Sequence, residues 1–272
     1  MWQSNFAQSN GISLHYTRTG KNGDTKPALV LLHGFSDDGL CWSPIAEVLS
    51  VSHDVIMVDA RGHGRSDGPQ NGYGHDQHAA DVAGLITSLG LRKPVVMGHS
   101  MGAVTTLALA GLYPDLPRAI VLEDPPPIWR QQAAPGSEVE RRTRMSNLII
   151  DIKRKTREEL IEDNRKHSPT WPEAERGPWA DSKLRLSFHV LGDFNQPRND
   201  LHTSVPHMTC PALLITADTA LGAIASADDA ANLQTLVSHA QVAHIGGAGH
   251  NIRREQPKKF VQVVQTFLDS VQ

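Results

Sequence analysis

One stretch limits the folds open to this chain more than any other: Val95-Val96-Met97-Gly98-His99-Ser100-Met101-Gly102, followed by Ala103-Val104-Thr105-Thr106-Leu107-Ala108-Leu109-Ala110. Val95 to Met97 is a short apolar run after Pro94 that suits a buried strand. From Met101 onward the residues are small or apolar and suit a buried helix. Between them there is almost no room for a loop. Such a junction forces its middle residue into a strained backbone conformation, and side chains two places away on either side would collide. Glycine at 98 and 102 removes that collision. The Ser100 hydroxyl is then held out above the sheet, beside the free N–H groups of a helix amino end. A chance Gly-x-Ser-x-Gly in a loop is the bland alternative; the strand before and the helix after argue against it.

Further apolar runs repeat the theme. Ala28–Leu32, Val55–Val58, Ala119–Leu122 and Pro211–Thr216 read as strands covered on both faces, and Gln241–Ile245 as the last strand. Ile12–Thr17 is a weaker candidate, and Lys21-Asn22-Gly23-Asp24 reads as a hairpin tip. Helical spacing appears over Trp42–Leu49, Asp76–Leu89, Asp228–Val237 and Pro257–Val271. Strands alternating with helices predict a parallel sheet with helices on both faces, an α/β architecture. The alternation breaks from about Ile128 to Pro206. That segment has no convincing strand, but it carries scattered apolar anchors such as Leu160, Trp171 and Phe194 among charged residues. It reads as a helical insertion with a solvated face. The expected division is a core of residues 1–127 and 207–272, with an insertion over 128–206.

A chain of 272 residues with formal net charge −3 and no basic run gives no footprint for nucleic acid or an anionic membrane. Two distant cysteines make no disulfide framework, and neither a signal sequence nor a membrane-length apolar run is present, so a cytoplasmic protein is expected. Gly62-x-Gly64-x-x-Asp67 and Gly247-x-Gly249-x-x-Ile252 lack the third glycine of a dinucleotide fingerprint. His75-Asp76-Gln77-His78 does not match the zinc-binding His-Glu-x-x-His pattern. No metal and no cofactor are expected.

A serine hydroxyl needs a base within reach and a third group to orient that base. Of 14 histidines, His250 is the best candidate, because it follows the last strand in the glycine-rich Gly246-Gly247-Ala248-Gly249 loop. His53, His75, His78, His202 and His207 lie in polar stretches and read as surface residues. Four segments then stand in a familiar order: Leu31-Leu32-His33-Gly34-Phe35, Asp59-Ala60-Arg61-Gly62-His63-Gly64-Arg65-Ser66-Asp67, Gly98-His99-Ser100-Met101-Gly102 and Gly247-Ala248-Gly249-His250. In these the chain resembles the α/β-hydrolase superfamily, in its compact subgroup with a helical cap. The resemblance implies an eight-stranded, mostly parallel sheet. It implies Ser100 as nucleophile, His250 as base, and an oxyanion hole from the backbone N–H groups of Phe35 and Met101. His33 and His63 are assigned structural roles.

The acid departs from the usual pattern. Laid on Pro211–Ala220, the family's acid position is Ala220, with Asp218 two places early and Asp228 and Asp229 in the next helix. Some relatives place the acid one strand earlier, where this chain has Glu123 and Asp124. Asp124 is the preferred acid, Asp218 the alternative and Glu123 the third choice. Trp129, Trp171, Trp179 and Phe188 of the insertion are candidates for a substrate pocket, or for the insertion's own core. The resulting expectation is a serine hydrolase of carboxylic esters or lactones acting on a small molecule. Carbon–carbon bond hydrolysis, cofactor-free perhydrolysis, and a ligand receptor with a vestigial triad remain as alternatives.

Overall fold

The computed structural model describes residues 2–20, 25–129, 136–191 and 201–271. The expected hairpin tip at Lys21–Asp24 and the anchor Phe194 lie outside the described residues. The strands are β1 (Gln3–Ser9), β2 (Ile12–Arg18), β3 (Ala28–Leu32), β4 (Asp54–Val58), β5 (Val95–His99), β6 (Ala119–Glu123), β7 (Ala212–Ala217) and β8 (Ala240–Ile245). They form one eight-stranded sheet in the order β1-β2-β4-β3-β5-β6-β7-β8. Pairings from β4 through β8 are parallel, whereas β2 runs antiparallel to both β1 and β4. β1 is not marked in the sequence. Its polar sequence alternates between half-buried and exposed positions at the sheet edge, so no apolar run announces it.

The central strands are buried at nearly every position, and their period of two sorts side chains to opposite faces. Val30, Leu32, Val96, Ile120 and Leu122 meet helices α2 (His75–Ser88) and α3 (Met101–Leu112) on one face, which α8 (Ala227–Leu236) also covers. Leu29, Leu31, Met97 and Val121 meet α1 (Ser43–Leu49) and the last helix, α9 (Pro257–Ser270), on the other. The chain winds from β3 outward to β4, then returns across β3 to β5. This reversal leaves a crevice at the carboxyl ends of β3 and β5, where open α/β sheets bind ligands. The segments after β3 and β5 carry Phe35 and Ser100.

Between β6 and β7 the described residues form only helices: α4 (Gly136–Arg154), α5 (Arg157–His167), α6 (Glu173–Arg185) and the short α7 (Leu201–Ser204), with 3-10 turns at Phe188–Leu191 and Val205–His207. α5 begins with a reciprocal cap, the Thr156 side chain accepting from Glu159 and the Glu159 side chain from Thr156. The insertion is not solvated throughout. Arg176 and Lys183 of α6 are buried, and Ile149, Leu186 and Val190 form a small cluster packed on Phe35. His53 and His78, expected at the surface, are also buried.

Candidate active site

Ser100 sits at the β5–α3 junction with φ 51° and ψ −114°, a strained conformation for a residue with a side chain. Its own N–H donates to the Glu123 carbonyl oxygen, and its carbonyl oxygen accepts from the Val104 N–H, so strand and helix grip it from both sides. A Cβ at position 98 would overlap the backbone of Gly102 and Ala103. One at position 102 would overlap the backbone of Leu32 and His33 on the neighbouring strand. The two glycines are therefore required by close backbone approach. Ser36, Ser100 and Asp124 are three of only five non-glycine residues with φ in the left-handed region among the described residues. Strained residues of this kind cluster where the surrounding structure over-determines the backbone, as at ligand-binding crevices.

His250 lies in the loop after β8, 28% of its side chain exposed. Its Nδ1 is 2.6 Å from Asp124 Oδ2. Because the carboxylate accepts, Nδ1 carries the proton and Nε2 is the nitrogen free to act as a base. Asp124 is fully buried just beyond β6. Its carboxylate also accepts from the Ala225 N–H at 2.8 Å and from the Ile224 N–H at 2.9 Å. Ser100 and His250 line one cavity of about 430 Å³, together with Phe35, His99, Trp179, Lys183 and Arg254 among others. The Ser100 hydroxyl makes no hydrogen bond among the described residues and faces the same cavity as His250. Neither the Phe35 nor the Met101 N–H donates to another protein group among the described residues. Met101 owes this to being the first residue of its helix.

The other acid candidates lie elsewhere. Asp218 accepts from the Gly247 N–H at 2.7 Å and pairs with His244 Nε2 at 3.0 Å. The Gly247 hydrogen bond, then His244, holds its carboxyl below the ordinary value. It braces the loop that carries His250 without touching the imidazole. Glu123 is buried against Arg253, accepting from its N–H at 2.9 Å and its Nη1 at 3.1 Å. Burial pushes its carboxyl up despite Arg253. Of the insertion's aromatics, Trp171 and Trp179 line the cavity. Trp129 is instead fully buried in the core beside α3, and Phe188 is 56% exposed with Lys153 over its ring. Neither is on the cavity wall.

His33 donates from Nδ1 to the Gly34 carbonyl and accepts from the Ala60 N–H at Nε2. His63 donates to the Arg61 carbonyl, and its ring lies 5.0 Å from that of His33. Burial, then the nearby His33, lowers His63 to about 3. Both brace loops outside the Ser100 cavity. His99 donates from Nε2 to the His250 carbonyl at 2.9 Å, and its ring lies tilted 4.6 Å from the His250 ring. Burial, then Arg253 and His250, keeps His99 neutral.

A buried charge network beside the cavity has almost no signature in the sequence. Asp37 takes Lys183 at 2.5 Å, Arg254 at 3.2 Å and Arg253 at 3.6 Å. Burial pushes the Asp37 carboxyl up, but these three cations outweigh it and hold it well below the usual carboxylate range. Arg254 also reaches Glu175 of α6 at 2.9 Å and lies over the Trp171 ring. Only the proximity of Asp37 to the His33-Gly34 segment hinted at this; the other members are isolated charges in helices. Among the described residues no helix is long and apolar enough to cross a membrane, and no three His, Cys, Asp or Glu side chains are grouped to hold a metal.

The sequence matches the alpha/beta hydrolase family over residues 29–263. It is 33% identical over 270 residues to the N-formylmaleamate deformylase of Pseudomonas putida, covering 96% of this chain and 94% of that one. It is 29% identical to the 2-(acetamidomethylene)succinate hydrolase of Mesorhizobium japonicum, over 90% of this chain and 88% of that one. Among solved structures, an E-2-(acetamidomethylene)succinate hydrolase superposes with a TM-score of 0.81 at 23% identity, over 99% of this chain and 100% of the other. With its sheet order, its strand-to-helix serine and this match over most of its length, the chain belongs to the α/β-hydrolase family.

Proposed function

We propose that this chain is a serine hydrolase that opens a small carboxylic ester or lactone through an acyl-enzyme intermediate. The observation that carries this reading is the Asp124–His250 hydrogen bond of 2.6 Å, with His250 and Ser100 facing one cavity. Asp124 holds the imidazole in the tautomer with the proton on Nδ1. Nε2 takes the Ser100 proton as Oγ attacks the acyl carbon. The Phe35 and Met101 N–H groups receive the developing oxyanion; each such donor is typically worth about 3 kcal/mol of barrier. The leaving group takes the proton back from Nε2. Water, deprotonated by the same nitrogen, then releases the acid and frees Ser100. The insertion acts as the cap over this cavity, whose volume suits a small molecule.

A second reading extends the same chemistry to N-acyl bonds. It is favoured by the two relatives, whose names describe hydrolysis of N-formyl and acetamido compounds of small acids. A tetrahedral oxyanion at a serine serves either bond. The test is a screen of esters of graded chain length, lactones of graded ring size and N-formyl or N-acetyl amides, with Ser100→Ala as the blank. Multiple turnover that vanishes in Ser100→Ala is expected, and the preferred bond type decides between the two readings. Turnover surviving in the blank overturns both. A single turnover with no second cycle would point to a receptor.

A further inference from the structure

Helix α6 touches both halves of the site. Near its carboxyl end, Ser182, Lys183 and Arg185 donate to three consecutive residues after β3. Lys183 Nζ reaches the Ser36 carbonyl at 3.0 Å and Asp37 Oδ1 at 2.5 Å. Ser182 Oγ reaches the same Ser36 carbonyl at 3.3 Å, and Arg185 Nη2 reaches Asp38 Oδ2 at 2.6 Å. Nearer its amino end, Glu175 holds Arg254, four residues beyond His250. Ser36 has φ 66°, a conformation that a non-glycine residue keeps only when its surroundings impose it. The ammonium on its carbonyl comes from the insertion, from a residue 147 positions away. Ser36 directly follows Phe35, whose N–H the proposed mechanism uses.

We propose that Lys183 is a positioning residue for the oxyanion hole: anchored on Asp37 and donating to the Ser36 carbonyl, it holds residues 35–37 in the conformation that turns the Phe35 N–H into the cavity. This rests on the serine-hydrolase reading above and adds a physical coupling to it. Docking of α6 and assembly of the oxyanion site become one event, because one ammonium serves both. A substrate that enters while α6 is displaced meets a serine with only one oxyanion donor in place. Stabilisation of the transition state then waits until the insertion is seated over it.

The test compares wild type, Ser100→Ala, Lys183→Met and Lys183→Met/Ser36→Gly with p-nitrophenyl acetate as probe, below the unfolding temperature of each. Methionine keeps the length of the lysine stem without its donors. For Lys183→Met, kcat should fall roughly 10- to 100-fold with KM within about threefold, since a donor misplaced by about an ångström costs the transition state and not the bound substrate. Affinity for a boronic acid, a mimic of the tetrahedral adduct, should fall by the same factor. Glycine adopts φ near 66° unaided. Ser36→Gly should therefore restore most of the lost kcat in the Lys183→Met background, an outcome that a general packing role for Lys183 does not give. If Lys183→Met does not fold, Ser182→Ala/Arg185→Ala replaces it, with a smaller loss of kcat in the same direction expected. An unchanged kcat, a loss confined to KM, or failure of glycine to rescue overturns the proposal and leaves the serine mechanism standing. Turnover persisting in Ser100→Ala removes the mechanism and this proposal together.

Discussion

Replacing Asp124 with asparagine tests the proposed mechanism at its sharpest point. Three N–H groups converge on this carboxylate: His250 Nδ1 at 2.6 Å, Ala225 N at 2.8 Å and Ile224 N at 2.9 Å. Both oxygens are used, and the group is fully buried. An asparagine has one oxygen and one NH2, so the NH2 must face either the Ile224–Ala225 backbone or the imidazole. Facing the backbone leaves buried donors opposed, at about 1–3 kcal/mol of stability. Facing the imidazole moves the ring proton to Nε2, where it can no longer take the Ser100 proton. The template for this substitution loses about 10⁴-fold in kcat, or about 5 kcal/mol of barrier. Asp124→Asn should therefore fold and lose turnover by about that factor. Asp218→Asn should keep turnover within about threefold, because its carboxylate is bonded to the Gly247 N–H and His244 and not to the imidazole of His250. Initial rates on a chromogenic ester, with thermal unfolding as the folding control, decide the matter. Asp124→Asn retaining a tenth or more of wild-type kcat, or equal losses from both variants, would refute the assignment.

Other predictions follow from the same packing. Gly98→Ala pushes a methyl into the Gly102–Ala103 backbone, so the unfolding temperature should drop with a cost of about 1–3 kcal/mol and acyl-enzyme burst amplitude should fall with it; a fully active, equally stable variant would refute the close-approach argument. Glu123→Gln removes the main counter-ion of buried Arg253 and should cost about 3 kcal/mol of stability while the folded fraction stays active. Activity lost as heavily as in Asp124→Asn would instead mark Glu123 as the acid. Asp37 is held well below its ordinary value near 3.8, so its contribution is complete above about pH 4 and disappears as the pH falls toward its folded value. Asp37→Asn should be less stable than wild type at neutral pH yet lose less on acidification, measured as denaturant midpoints across the acid range; an unchanged acid limb would show that Asp37 is not a principal group there.

Much of this architecture is written in local pattern. Continuous apolar runs at Ala28–Leu32, Val55–Val58 and Ala119–Leu122 mark doubly covered strands, because each residue's neighbours along the chain already tell which faces are dry. Gly98 and Gly102 announce the strained serine junction for the same reason: the crowding arises within a few residues of Ser100 and beside one adjacent strand. What local pattern leaves open is any choice between groups that are equivalent along the chain. Asp124 and Asp218 both follow a buried strand at the same sheet edge. Only the path of the His250 loop, lying across β6 while Asp218 braces its stem, gives the imidazole to Asp124. Trp129 and Trp179 are alike as residues, and packing sends one into the core and the other to the cavity. The Lys183–Asp37 contact joins residues 146 positions apart. No periodicity encodes such a pair, because a buried charge and a solvated one look the same in sequence until the fold removes the water from around one of them.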